Sequence, residues 1–214
     1  MYKAVIFDMD GVIIDSEIIF LECFKEVLQE QHSCLHKKDL TTMVGLNAKQ
    51  GIRILADLCD NPGEIMELYD NKLRKLKLNY SSILNTGVRE LLAFLKEKGL
   101  KVGLASSADA KDIFEVLEET KLGGYFDLVL SGERFRERKP NPEIYIHAAR
   151  RLQVKTSECI VIEDSAYGIE AGKAAGAYVI AKEELRIPVE QKGADIILPD
   201  IHRIKDKILE LTSC

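Results

Sequence analysis

Six short runs rich in aliphatic residues recur along the 214-residue chain: KAVIF before Asp8, KVGLA before Ser106, FDLVL before Ser131, CIVIE before Asp164, AYVIA after Gly176 and ADIIL before Pro199. None shows the apolar–polar alternation of a strand with one wet face. Runs that are apolar at consecutive positions suit strands covered on both sides, as in a parallel sheet. Between them lie helical periodicities. Val88, Leu91, Leu92 and Leu95 repeat at helical spacing and stop at Gly99. Ile113, Val116 and Leu117 do so after SSAD, where Asp109 is the expected N-cap, and Ile144, Ala148 and Leu152 continue the series. Strand–helix alternation predicts a doubly wound α/β sheet with ligands at the carboxyl ends of its strands.

Residues 16–80 interrupt that alternation. Phe20, Phe24, Val27 and Leu28 mark one amphipathic helix, Ile52, Leu55 and Leu58 a second, and EIMELYDNKLRKLKLNY a third. The pattern predicts an all-helical domain over 16–80, placed as a cap, inserted into an α/β core made of 1–15 and 81–214.

The residues that end the runs carry the chemistry. Asp8 and Asp10 follow the first, Ser106 and Ser107 the second, Glu163 and Asp164 the fourth, and Lys139 lies in ERKPNPE after the third. In a parallel sheet all of them converge on one edge. An aspartate at a strand end is more often a turn or cap residue, but here several strand ends carry matching chemistry. Four carboxylates crowded together require a positive charge, and hard oxygen ligands suit Mg²⁺. With Lys139 and the metal, the site would hold a dianionic phosphate. Asp8 is then placed as a nucleophile for phosphorus and Asp10 as a proton donor to the leaving oxygen.

DMDGV, the serine of LASSA, the lysine of RKPNPEIY and IEDSAYGIEAG resemble, in order, the four motifs of the haloacid dehalogenase superfamily. Within it they resemble the phosphatases and phosphomutases related to β-phosphoglucomutase. The helical insert falls where that family carries its cap. The resemblance implies that Asp8 attacks phosphorus and binds Mg²⁺. Asp10 acts as general acid, then as the base that activates water, and gives its main-chain carbonyl to the metal. Ser106 and the backbone N–H of Ser107 hold the phosphoryl group, and Lys139 neutralises it. Asp164 binds Mg²⁺, and Glu163 does so directly or through water.

The implied activity is a Mg²⁺-dependent phosphatase of a small phosphorylated metabolite, working through an aspartyl-phosphate on Asp8. A sugar phosphomutase is the alternative. The mutases carry a histidine where Phe20 stands and an arginine where Ala48 stands beside Lys49, so their absence favours hydrolysis. A receiver-like signalling domain is a more distant alternative. Such domains are usually about half this length and bear their phosphoacceptor after a later strand.

Other features narrow the class. A net charge of −5 supplies no overall basic surface for nucleic acid. Cys23, Cys34, Cys59, Cys159 and Cys214 form no C-x-x-C and read as reduced thiols. No apolar run approaches roughly 18 residues, and the chain opens on a strand-like segment rather than a signal peptide. A cytoplasmic monomer without a membrane partner is expected. GIEAGKAAG has the wrong spacing for a phosphate-binding G-x-x-x-x-G-K-[ST] loop; its glycines read as a helix lying close on the sheet. His32, His36, His147 and His202 show no ligand spacing. NKLRKLK reads as a solvated helix face, with Lys72 as a minority candidate for reaching substrate.

Overall fold

The computed structural model describes residues 1–30 and 61–213. Each aliphatic run forms a strand: β1 (Ala4–Phe7), β2 (Lys101–Ser106), β3 (Leu128–Ser131), β4 (Cys159–Glu163), β5 (Tyr178–Lys182) and β6 (Ile196–Leu198). They make one parallel sheet in the order β3-β2-β1-β4-β5-β6. β1 and β4 are buried along their whole length, which is why their sequences show no alternation. β6, at the edge, leaves Ile197 exposed.

Seven described α-helices accompany the sheet: α1 (Glu17–Glu30), α2 (Pro62–Lys75), α3 (Val88–Glu97), α4 (Ala110–Thr120), α5 (Glu143–Arg151), α6 (Ala166–Ala174) and α7 (Ile201–Thr212). Leu91, Leu95, Ile113, Ile204 and Ile208 bring α3, α4 and α7 onto one face, against Phe7 and Leu104. Ile144, Ala148, Ile169 and Ala171 bring α5 and α6 onto the other, against Ile6 and Val161. Each fully buried aliphatic side chain contributes about 1.5–3 kcal/mol, so the two layers fix the sheet firmly. From β1 the chain runs outward through β2 and β3, then crosses back to β4 on the opposite side. The strand order reverses at β1, and this opens a crevice at its carboxyl end.

Asp109 is the N-cap of α4 as expected, although its carboxylate accepts none of that helix's N–H groups. It faces the Arg138 guanidinium at 3.4 Å instead. α2 stops at Lys75, short of the periodic pattern, because Lys77 turns to φ +41° and Ser81 then fastens to Glu119 on α4. α6 does lie close on the sheet: a Cβ on Gly172 would come within 2.8 Å of Val179.

α1 and α2 pack together through Leu21, Phe24, Val27, Leu28, Ile65 and Met66, in a cluster distinct from the two that cover the sheet. The rings of Phe24 and Tyr69 meet edge to face at 5.2 Å. From beyond the helices Ile187 joins this cluster, and Val189 packs against it. The helix expected around Ile52 and the positions Ala48, Lys49, Cys34, Cys59, Cys214, His32 and His36 lie outside the described residues. Cys23 and Cys159 are buried free thiols. No described helix is long and apolar enough to cross a membrane.

Candidate active site

The site is built on the turn that leaves β1. The Asp8 N–H donates to the Ile162 carbonyl at 2.9 Å, which continues the sheet by one residue and aims Asp8 into the crevice. Gly11, at φ +72°, then reverses the chain, and the N–H groups of Ile13 and Ile14 return to the Met9 carbonyl. The Asn85 amide donates to the carbonyls of Gly11 and Val12 at 3.1 and 3.0 Å. Asp15 N–H to Ile83 and Asn85 N–H to Ile13 complete the fastening. Gly11 is required twice over, because a Cβ there would fall 1.8 Å from Oδ2 of Asp164.

Lys139 is the hub. Its ammonium, 3% exposed, donates to Asp8 Oδ1 and Glu163 Oε1, each at 2.6 Å, and to the Ala105 carbonyl at 2.9 Å. The ring of Tyr145 lies 4.9 Å beneath it, and the Tyr145 hydroxyl donates to the same Glu163 oxygen at 2.6 Å. The other Glu163 oxygen accepts the N–H groups of Asp164 and Ser165 and the Ser165 hydroxyl. Gly168, in the first turn of α6, makes room for this carboxylate: a Cβ there would stand 1.8 Å from Glu163 Oε1.

Asp8, Glu163 and Asp164 each offer an oxygen within 4.8 Å of the others, and all three side chains are buried. Burial pushes the Asp8 carboxyl up to about 8; Lys139 opposes that shift, while Glu163 and Asp10 add to it. Asp164 is pushed well above the carboxylate range, first by burial and then by Glu17, Glu163 and Asp8. Burial works against the Lys139 charge, yet Asp8 and Glu163 outweigh it and hold the ammonium well above its usual value. One ammonium among three buried carboxylates leaves negative charge uncompensated. The donor set therefore fits a metal ion: oxygen ligands only, converging within 4.8 Å of one another.

The remaining expected residues are placed less uniformly. Asp10 is half-buried, and its carboxylate stands outside the three-carboxylate group, accepting the Ser16 hydroxyl at 2.6 Å. Burial raises its pKa and the Ser16 bond lowers it, with a net upward shift. Ser106 is buried at the end of β2, where its Oγ accepts the Ala108 N–H. The Ser107 carbonyl accepts Arg138 at 2.7 Å, and Gly132 lies against the Ser107 backbone. Lys72 does not turn toward the site; it pairs with Glu26 and Glu30 on α1 at 2.9 and 2.8 Å.

Sequence reasoning missed Tyr145 and Ser16. Tyr145 follows Lys139 by six residues at the start of α5, so a hydroxyl on the inward face of a helix beginning beside a buried lysine was an available signal. Ser16 offered none, since its contact with Asp10 depends on the fold of the Gly11 turn.

The family of haloacid dehalogenase-like hydrolases matches residues 5–182, a span that runs from β1 through β5 and contains every residue above. The chain belongs to this family. It is 35% identical over 177 residues to the phosphorylated carbohydrates phosphatase of Thermotoga maritima, covering 81% of this chain and 82% of that protein. It is 27% identical over 218 residues to the β-phosphoglucomutase of Bacillus subtilis, covering 98% and 93%. The crystal structure of β-phosphoglucomutase from Clostridium difficile superposes with a TM-score of 0.81 at 24% identity over 99% and 96% of the two chains. That last likeness establishes the fold of this haloacid dehalogenase-like hydrolase and nothing further.

Proposed function

We propose that the protein is a Mg²⁺-dependent phosphatase of small phosphorylated carbohydrates, acting through an aspartyl-phosphate on Asp8. The observation that carries this is Lys139 bridging Asp8 and Glu163 beside Asp164, at the point where the strand order reverses. The T. maritima relative, which acts on phosphorylated carbohydrates, supports the substrate class.

Lys139 holds Asp8 Oδ1, so Oδ2 is the attacking atom. It forms a bond to phosphorus as the bond from phosphorus to the leaving oxygen breaks, and Asp10 gives its proton to that oxygen. The raised pKa of Asp10 keeps a proton available for this. In the second half-reaction the Asp10 carboxylate takes a proton from water, the water oxygen bonds to phosphorus, and Asp8 is released. Ser106 and Ser107, at the end of β2, hold the phosphoryl oxygens, and Lys139 offsets their charge. Asp8, Asp164 and the Asp10 main-chain carbonyl would hold Mg²⁺, which when bound supplies the positive charge that brings phosphate and carboxylates together. Both Glu163 oxygens already accept hydrogen bonds, so Glu163 contributes charge and a contact through water.

The block of residues 16–80 acts as a cap that reads the leaving group. The B. subtilis relative makes a phosphomutase the second reading, against which stand Ala48, in place of the arginine that would grip the remote phosphate, and Phe20, in place of the histidine that would time Asp10.

Phosphate release from a panel of sugar and sugar-alcohol phosphates, with and without Mg²⁺, tests the proposal. Release should require the metal and vanish in Asp8→Asn. Full activity in excess chelator would sink it. A coupled assay for glucose 6-phosphate from β-glucose 1-phosphate, primed with a bisphosphate, decides the second reading. Isomerisation faster than hydrolysis would replace the phosphatase by a mutase.

A further inference from the structure

The loop between β5 and β6 touches both the metal-binding turn and the helical block. Gln191, 6% exposed, donates to the main-chain carbonyls of Asp164 at 2.6 Å and Lys182 at 2.8 Å, and its Oε1 accepts the Glu184 N–H at 3.2 Å. Glu184, also buried, grips Arg186 through Nε at 3.0 Å, through a terminal guanidinium nitrogen at 2.6 Å and through the Arg186 backbone N–H at 2.7 Å. The same guanidinium forks onto Asp15 with contacts of 2.8 and 2.6 Å. Asp15 is where the chain leaves the Gly11 turn for α1. The next loop residue, Ile187, is 1% exposed inside the α1–α2 cluster.

The run of contacts is continuous: Ile187 lies within the helical block, Arg186 on its point of departure, Glu184 on Arg186, and Gln191 on Glu184 and Asp164. A buried amide that satisfies two carbonyls at once fixes the peptide planes that carry them. One of those planes follows Asp164, whose carboxylate faces Asp8. Rotating it would swing the carboxylate out of the cluster. Arg186 and Ile187 give the same loop a fixed bearing on the helices.

We propose that residues 184–191 form a brace that couples the position of the helical block to the placement of Asp164, with Gln191 and Arg186 as positioning residues for the metal site. This rests on Asp164 being a metal ligand. Neither residue touches the reacting atoms. Their effect is therefore on metal affinity and on the order of the 164–166 turn, and kcat at saturating Mg²⁺ stays within about twofold of wild type.

The test compares wild type with Gln191→Met and Arg186→Met. Mg²⁺ binding to the metal-free protein is measured by calorimetry, and hydrogen exchange of the 164–166 amides is measured without metal. Gln191→Met should weaken Mg²⁺ by about tenfold, at the low end for outer partners of metal ligands, and speed exchange at 164–166. Arg186→Met, remote from the metal, should weaken Mg²⁺ at least threefold and speed the same amides, and the double variant should lose less than the product of the two. Wild-type affinity and exchange in Arg186→Met, or losses that simply multiply, would overturn the brace. Should Gln191→Met fail to fold, Arg186→Met decides by itself. Wild-type protein that binds no Mg²⁺ would overturn the metal assignment, while exchange at 164–166 still decides the brace.

Discussion

Stripped of metal, the protein should lose stability as pH rises from 5 to 7. In the unfolded chain Asp8 is an ordinary carboxyl near 3.8; folded and metal-free, burial places it at about 8. Between those values the folded state binds a proton that the unfolded state lacks. The contribution is fully present below 3.8 and disappears as pH climbs through 8. One proton corresponds to about 1.4 kcal/mol per pH unit. From pH 5 to 7 the loss is about 3 kcal/mol, which for a chain of this size lowers Tm by about 5–10 °C. Asp164 is shifted in the same direction, and the two share the effect because they interact. Carboxylates moved the other way, such as Asp15 under the Arg186 fork, act only below their usual range, outside this window. Thermal unfolding followed by circular dichroism in chelator at pH 5, 6 and 7 reads the slope. Asp8→Asn should flatten it, and saturating Mg²⁺ should reverse it by favouring the ionised carboxylates. A Tm in chelator that is level or rises across the window, or an Asp8→Asn protein that keeps the full slope, would refute the account.

Asp10→Asn should lose about 10² to 10⁴ in rate on a sugar phosphate and far less on p-nitrophenyl phosphate, whose leaving group needs no proton; equal losses would remove Asp10 as the acid. Tyr145→Phe deletes one O–H bonded to the Glu163 carboxylate and should cost about 1.5–3 kcal/mol in urea unfolding; an unchanged midpoint would show that the bond has no net worth. Gly11→Ala forces a Cβ into Asp164 at a φ of +72°, so Mg²⁺ affinity measured by calorimetry should fall at least tenfold, and wild-type affinity would contradict the stated position of that carboxylate.

The sheet was legible because burial on both faces leaves an unmistakable trace: CIVIE and AYVIA can hardly be anything else, and both are strands. The catalytic candidates were legible because a parallel sheet delivers every strand end to one edge, so Asp8, Lys139, Glu163 and Asp164 could be assembled without knowing a single distance. What stayed hidden depends on tertiary contact. Nothing near Gln191 indicates that its amide will meet the Asp164 carbonyl, 27 residues earlier in the chain. Asp109 carries the residue type of a helix cap, but Arg138 competes for its carboxylate. Lys72 belongs to a basic run that looked solvated, and it turns instead to two glutamates on α1, a pairing that only the packing of the two helices creates.

The chain leaves the sheet side at Asp15 and returns at Ile83–Asn85, and those two points are already hydrogen-bonded to each other. The intervening segment is thus a closed loop whose ends are held by the core whatever lies between them. Lengthening such a loop costs little, on the order of 0.6 kcal/mol per doubling. If the block is the cap proposed above, the arrangement amounts to a socket: the stapled pair of segments is the natural splice site for a replacement, which would have to restore the Ser16–Asp10 bond and the seat of Ile187.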